Sequence, residues 1–201
     1  MRLFFAIDTP AAVRAEMGRI RDHLREARAD ARWESDEKLH CTMKFLGETP
    51  EALLEPIVTA VSGVAGSAHP FRIVYRGLGC FPDIRRPRVV WVGIDDFERV
   101  LVPLAAEVDR ACAEFGFQPE ERAFHPHVTL GRIRSLVSLH DLLSRIESVT
   151  FESPTVTIGE ISLIKSNLRP TGSVYTTVRS FPLGGSGGEY NDGFGKTGAP
   201  L

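Results

Sequence analysis

Two short segments in opposite halves of this 201-residue chain carry nearly the same pattern. Residues 40–43 read His-Cys-Thr-Met, and residues 127–130 read His-Val-Thr-Leu. Both lie in runs typical of β-strands, where side chains two positions apart share a face. His40 and Thr42 therefore share one face, as do His127 and Thr129. If the fold brings the two strands together, two imidazoles and two hydroxyls form one site.

The order of the predicted elements favours an α+β fold. Strands and helices are mixed along residues 1–183, and several predicted hairpins imply antiparallel pairing. A helix follows each motif strand, so we expect two related lobes with the motifs facing a cleft between them. Residues 184–201 are Gly-rich with little apolar surface, and we expect them to form a disordered tail.

Composition excludes several classes of protein. A hydrophobic content of 43% is enough for one packed domain, and the net charge of -2 gives no support for non-specific nucleic-acid binding. Cys41, Cys80 and Cys112 are widely spaced, which argues against a disulfide framework or a zinc knuckle. Neither a signal peptide nor a membrane-spanning run is evident, so we expect a cytoplasmic protein.

The paired motifs suit acid–base chemistry at phosphorus. One histidine can take a proton from an attacking group while the other protonates the leaving oxygen on the opposite side. The hydroxyls of Thr42 and Thr129 can donate to the non-bridging oxygens without a metal. By strand alternation, Lys44 lies on the face of His40 and could add a positive charge. A single His-x-Thr pattern would be weak evidence, because such histidines are usually surface or core residues.

Two further patterns leave alternatives open. Strict alternation places Arg132 on the face opposite His127, where it would serve as a surface or salt-bridge residue, whereas a bulge at Gly131 would turn it toward the site. His125 and His127 could also form a metal pair with His40 as a third ligand. No Asp or Glu in the motif strands completes a recognisable ligand set, so we expect no metal.

Some arginine and aromatic residues are candidates for contacts with RNA. The run Arg-Arg-Pro-Arg at 85–88 suits either an RNA backbone contact or a solvated hairpin loop. Trp33, Phe81 and Tyr175 are candidates for stacking on a base or sugar, whereas Trp91 is expected to pack in a strand core.

The double motif and its flanks resemble the 2H phosphoesterases. Within that superfamily they are most similar to the bacterial and archaeal RNA 2′,3′-cyclic phosphodiesterases, formerly called 2′-5′ RNA ligases. The resemblance covers about residues 1–183. It rests on four segments, which read RLFFAID (2–8), LHCTMKFLGE (39–48), FHPHVTLGR (124–132) and SNLRPTGSVY (166–175).

The resemblance implies a bilobal fold with antiparallel sheets facing a cleft and helices outside. It implies metal-independent opening of a terminal 2′,3′-cyclic phosphate to a 2′-phosphomonoester, with no cofactor. By similarity, His40 is the acid that protonates the leaving 3′ oxygen, and His127 is the base that activates water. Thr42 and Thr129 bind the phosphate. The family often has an arginine at the position of Arg132, which favours the bulge.

The resemblance also implies a class of substrate and leaves alternative functions open. Its substrate class is RNA with 2′,3′-cyclic phosphate ends, including tRNA fragments, and Tyr175 is an additional candidate for substrate binding. A 2′-5′ ligase side activity and a monomeric state are further expectations. The rival functions are hydrolysis of a small cyclic nucleotide or of ADP-ribose cyclic phosphate, and non-catalytic binding of RNA ends.

Overall fold

The computed structural model describes residues 1–135, 137–169 and 172–184, so the predicted tail lies outside the described residues from 185 onward. Strands and helices alternate irregularly along the described chain. The strands are β1 (Arg2–Asp8), β2 (Ala31–Trp33), β3 (His40–Glu48), β4 (Phe71–Phe81), β5 (Val89–Asp95), β6 (His127–Ile133), β7 (Val156–Ile158), β8 (Glu160–Arg169) and β9 (Gly172–Pro182). The helices are α1 (Ala11–Arg25), α2 (Leu54–Ser67), α3 (Leu101–Ala113) and α4 (Leu139–Ser148).

The strands form two antiparallel sheets, one in each lobe. The first sheet has the order β3-β1-β8-β9, and the second has the order β2-β6-β5-β4-β7. Each sheet contains one motif strand, β3 in the first and β6 in the second. The predicted α+β fold with two lobes is therefore confirmed.

The central strand β1 is apolar on both faces. Leu3, Phe5 and Ile7 belong to the main hydrophobic core, whereas Phe4 and Ala6 face the other way. This second face forms a small apolar cluster that Tyr175 of β9 joins at its edge. A strand buried on both sides loses the polar–apolar alternation of a surface strand. Its second face supports the first motif, as described below.

The helices bury apolar stripes against the sheets and one another. In α3, Leu101, Leu104, Val108 and Cys112 recur at helical spacing and are all buried. Helix α2 packs against α3 and against β9. None of the helices in the described ranges is both long and apolar enough to cross a membrane.

Two strands are not evident from the sequence pattern. Trp33 ends β2, a strand of only three residues, which is too short to show a period. The stretch after Arg76 reads Gly-Leu-Gly-Cys-Phe, and such glycines are typical of a turn, yet β4 continues to Phe81. Gly77 has a φ of 65° beside a register shift, so this glycine serves a bulge within the strand instead of ending it.

Candidate active site

The two motif strands meet although they belong to different sheets. β3 is an edge strand of the first sheet, and it lies against β6 of the second. Cys41 faces away from His40, and its buried thiol lies close enough to the backbone of His127 for that backbone to lower the pKa of the thiol. Burial raises the pKa of this thiol to about 12, so it stays protonated. The residue between His and Thr of one motif therefore contacts the backbone of the other.

A one-residue bulge follows the threonine of each motif. In the ladder between β1 and β3 the extra residue is Met43, which directly follows Thr42. In the ladder between β5 and β6 the extra residue is Leu130, which directly follows Thr129. A bulge reverses the alternation of all later residues in its strand. Each motif therefore turns a different set of side chains toward the cleft than strict alternation predicts.

The bulge in β6 turns Arg132 to the face of His127. The sequence suggested a bulge at Gly131, and the structure has it one residue earlier, at Leu130. Gly131 is buried, whereas the side chain of Arg132 is 55% exposed. The positive charge of Arg132 is close enough to lower the pKa of His127. Its binding of substrate remains a prediction.

The bulge in β3 turns Lys44 away from His40, so the prediction that they share a face is wrong. Lys44 is buried, where its ammonium forms an ion pair with Asp109 of α3 and donates to the carbonyl of Gln118. This lysine anchors the segment after α3 against the back of β3. Lys44 is therefore placed to stabilise the fold and has no access to the cleft.

Phe45 occupies the position in the first motif that Arg132 occupies in the second. Each stands three residues after the motif threonine and directly after the residue that the bulge buries. Phe45 is 62% exposed and contacts Phe4, the residue on which His40 stacks. Strict alternation would place Phe45 on the core side with Cys41 and Met43, although its spacing from Thr42, equal to that of Arg132 from Thr129, was a usable signal.

His40 is held between aromatic rings. Its imidazole stacks on Phe4 at 5.0 Å between centroids, and it meets the ring of Tyr175 edge-to-face with the centroids 5.4 Å apart. Burial lowers the pKa of His40 to about 4, against the opposing effect of the Asp8 carboxylate, which favours the protonated ring. The ring is therefore neutral at pH 7 in the free protein and has an acidic neighbour that stabilises added charge.

His127 has a fixed tautomer. Its Nδ1 lies 2.6 Å from the carbonyl oxygen of His125, and because a carbonyl can only accept, Nδ1 carries the proton. Nε2 of the neutral ring is then an acceptor, and no hydrogen bond from the described residues 1–135, 137–169 and 172–184 engages it. Burial lowers the pKa of His127, the carbonyl of His125 opposes this, and Arg132 lowers the pKa further. The arrangement suits a base.

Arg132 and Tyr175 connect the two histidines. Burial raises the pKa of Tyr175, and Glu34 raises it further, whereas Arg132 lowers it. Arg132 thus acts on Tyr175, which contacts His40, and also on His127. Glu34 lies 3.9 Å from the guanidinium of Arg132. The structure therefore brings His40, His127, Arg132 and Tyr175 into one neighbourhood.

The threonines lie beside the histidines with their hydroxyls available. Thr42 and Thr129 are partly exposed, and each lies on the same face of its strand as the histidine of its motif. Within the described part of the chain, neither hydroxyl is engaged in a side-chain hydrogen bond. Both can therefore donate to a bound anion without first breaking an internal bond.

The aromatic and arginine candidates for RNA contacts differ in where they lie. Trp33 covers Gly131 and packs against the main core, so it does not face the cleft. Phe81 meets the ring of His127 edge-to-face, with the ring centroids 4.9 Å apart. Trp91 was expected in the core, yet it is partly exposed and lies on the cleft face near His127. The arginines of loop 85–88 are exposed.

The alternative metal site formed by His125, His127 and His40 has no matching set of ligands among the described residues. Across residues 1–135, 137–169 and 172–184, no group of three or more His, Cys, Asp or Glu side chains is placed to hold a metal ion. Nδ1 of His127 is already occupied by the carbonyl of His125.

Anion binding at this site should take up a proton. Both histidines are neutral at pH 7 in the free protein, and a bound anion favours their cationic forms. The affinity for sulfate, whose charge is constant over the range used, is expected to fall as the pH rises above about 4, where free His40 loses its proton, by up to about tenfold per pH unit for each proton taken up. Calorimetric titration measures this slope. His40→Asn should reduce this slope, because only His127 could then take up a proton, and a pH-independent affinity in the unmodified protein would contradict the expectation.

The comparison with known families finds one match, which occurs twice. The family described as "LigT like Phosphoesterase" matches residues 7–91 and again residues 92–175. The division separates the two His-x-Thr motifs, one in each match.

Curated relatives match over nearly their whole length. A protein of Aquifex aeolicus named "RNA 2′,3′-cyclic phosphodiesterase" is 35% identical, over 92% of this chain and 98% of its own. One of the same name from Methanothermobacter thermautotrophicus is 35% identical, over 91% of this chain and 99% of its own. Among solved structures, a Thermus thermophilus protein has a TM-score of 0.77 at 28% identity, covering 93% of this chain and 100% of its own. Escherichia coli LigT complexed with 3′-AMP has a TM-score of 0.67 at 29% identity, covering 90% and 97%.

Proposed function

Because this chain belongs to the LigT-like phosphoesterases, we propose that it hydrolyses RNA 2′,3′-cyclic phosphate ends to 2′-phosphomonoesters. The observation that supports this most is the shared construction of the two motifs. Each supplies a histidine, a threonine and the same bulge, and the two strands meet. Such a pair can flank one phosphate from two sides.

The proposed reaction divides the work between the histidines. The phosphate lies between the motifs, where Thr42, Thr129 and Arg132 bind its non-bridging oxygens. Nε2 of His127 removes a proton from water as the water oxygen bonds to phosphorus. The bond from phosphorus to the 3′ oxygen breaks, and His40 donates a proton to that oxygen. The 2′ ester bond is untouched, and solvent restores both protonation states.

The surroundings of the two histidines support this assignment over the reverse. Asp8 favours the protonated form of His40, as an acid requires. The carbonyl of His125 fixes the proton of His127 on Nδ1, and Arg132 opposes further protonation, as a base requires. The low pKa of free His40 is set by burial, and the negative charge of a bound phosphate offsets that effect.

A 2′-5′ ligase activity follows from the same arrangement. If an RNA 5′-hydroxyl replaces water, its proton passes to His127 and its oxygen bonds to phosphorus. The 3′ oxygen leaves with a proton from His40, so the product is a 2′-5′ phosphodiester. Every atom and charge is accounted for by the same two histidines, and the reverse reaction cleaves that linkage.

The proposal is tested by identifying the product formed from an RNA oligonucleotide that ends in a 2′,3′-cyclic phosphate. The chain should yield a 2′-phosphate at the same rate with and without EDTA, and the His40→Ala, His127→Ala double variant should yield it at least about 10²-fold more slowly. A 3′-phosphate product would overturn the choice of leaving oxygen. Loss of activity in EDTA would contradict a metal-independent reaction. Faster turnover of a cyclic mononucleotide than of the oligonucleotide would indicate a small-molecule substrate.

A further inference from the structure

An indole ring lies flat on the cleft face of the second sheet. Trp91 pairs with Thr129 across β5 and β6, so both face the cleft. Beneath the ring are Gly79 of β4 and Gly93 of β5. A Cβ at Gly79 would lie 2.3 Å from the indole, and one at Gly93 would lie 3.2 Å from it. The two glycines therefore leave the space in which the ring lies against the sheet.

This ring forms a wall of a cavity beside His127. The cavity has a volume of about 340 Å³, within the range of small-molecule sites. Phe81 and Trp91 line it, together with His125 and His127. The ring centroids of Phe81 and Trp91 are 5.1 Å apart, so the two rings form one continuous aromatic surface.

Polar groups stand at the other end of the cavity. Arg76 and Asp95 line it and form an ion pair at 3.1 Å. Arg76 also pairs with Glu152 at 3.0 Å, which holds the guanidinium in place. A donor and an acceptor at the end of an aromatic wall can meet the edge of a base or the hydroxyls of a ribose.

We propose that this cavity binds the nucleoside attached through its 5′ oxygen on the His127 side of the phosphate, with its base stacked on Trp91. Aromatic rings on a sheet face are a common way to bind single-stranded bases. In the proposed mechanism, His127 faces the attacking group, and the cavity lies against His127. The exposed arginines of loop 85–88 follow Phe81 along the chain and can meet the next phosphates of that strand.

The site is therefore an acceptor subsite. It holds the RNA strand whose 5′-hydroxyl is joined in ligation, or released when a 2′-5′ linkage is cleaved. The inference rests on the proposed function for the role of His127. Its binding test needs no turnover, so a failure of the chemistry and a failure of the subsite give different results.

The test compares two ligands by calorimetry. Adenosine 2′-phosphate occupies only the phosphate and its own nucleoside site, whereas 2′-5′-linked ApA adds a second nucleoside on the 5′-oxygen side. The ApA used carries 3′-deoxyadenosine at the 2′-linked position, so it has no 3′-hydroxyl to attack the phosphate and is not cleaved during the titration. Trp91→Leu is expected to weaken ApA binding by about tenfold, because stacking contributes about 1–3 kcal/mol per base. The affinity for adenosine 2′-phosphate should change less than about twofold, since that ligand does not reach the indole.

A second variant keeps the tryptophan but displaces it. Gly79→Ala puts a Cβ where the indole now lies, so it should weaken ApA binding in the same way. Gly63→Ala is the matched control, because a Cβ at Gly63 meets no atom of the described residues within 4 Å beyond its own helix backbone. Thermal unfolding of each variant confirms that it is folded at the temperature of the titration.

Three outcomes would overturn the proposal. Unchanged ApA affinity in Trp91→Leu would show that no base stacks there, and so would a failure of ApA to bind the unmodified protein. Equal weakening of both ligands would place Trp91 at the nucleoside that carries the 2′-phosphate. If ApA binding depends on Trp91 and the chain does not hydrolyse cyclic phosphate, the subsite stands and the proposed reaction falls.

Discussion

Replacing either His40 or His127 with alanine is expected to lower kcat/KM for cyclic-phosphate RNA by about 10²–10⁴-fold, the usual contribution of a positioned acid or base. The threonines and Arg132 would still bind the phosphate, so the loss should fall mainly on kcat. Steady-state kinetics on purified variants measures both parameters. The two losses should not add in the double variant, because the histidines act on one transition state.

An exposed histidine serves as the matched control for these variants. His140 lies on the surface of α4, and His140→Ala should leave kcat/KM within about twofold of the unmodified protein, as surface substitutions usually do. Activity within about tenfold of the unmodified protein in either motif variant would contradict an acid–base role for that histidine.

Lys44→Ala is expected to destabilise the fold without changing the chemistry. It removes a buried ammonium from Asp109 and from the carbonyl of Gln118. Breaking a buried pair costs about 3–5 kcal/mol, and because 19% of the Asp109 side chain is exposed we expect about 2–3 kcal/mol. For a domain of this size that lowers Tm by roughly 4–12 °C.

Two measurements separate this structural role from substrate binding. Thermal unfolding gives the change in Tm, and kinetics well below that temperature should give an unchanged KM. The Lys44→Met, Asp109→Leu double variant should recover much of the lost stability, because it leaves no unpaired buried charge. A raised KM with an unchanged Tm would instead return Lys44 to the substrate site.

The sequence predicts correctly which face of the strand each side chain occupies up to the threonine of each motif, and wrongly beyond it. His40 and Thr42 share a face because two-residue alternation is a local property of a strand. One extra residue at Met43 or Leu130 reverses that alternation, and the bulge depends on pairing with a neighbouring strand. Alternation alone therefore placed Lys44 in the site.

The cleft face of β5 was equally hard to predict. The run 89–94 reads Val-Val-Trp-Val-Gly-Ile, which gives a strand but does not say which face meets the core. The structure buries Val90 and Val92, which leaves Trp91 on the other side. Gly79 and Gly93 were a usable signal, because glycines within strands often mark the close approach of another group.

The central claim is that His40 and His127 act on opposite sides of one phosphate, as acid and base. It is tested most directly with a substrate whose leaving group needs no proton. In 3′-deoxyadenosine 2′-(4-nitrophenyl phosphate), nitrophenolate takes the place of the 3′ oxygen. His40→Ala should fall within about tenfold of the unmodified protein on this ester, whereas His127→Ala should still lose about 10²-fold or more. Recovery of His127→Ala instead would contradict the assigned roles, and equal losses in both variants would contradict the division of labour itself.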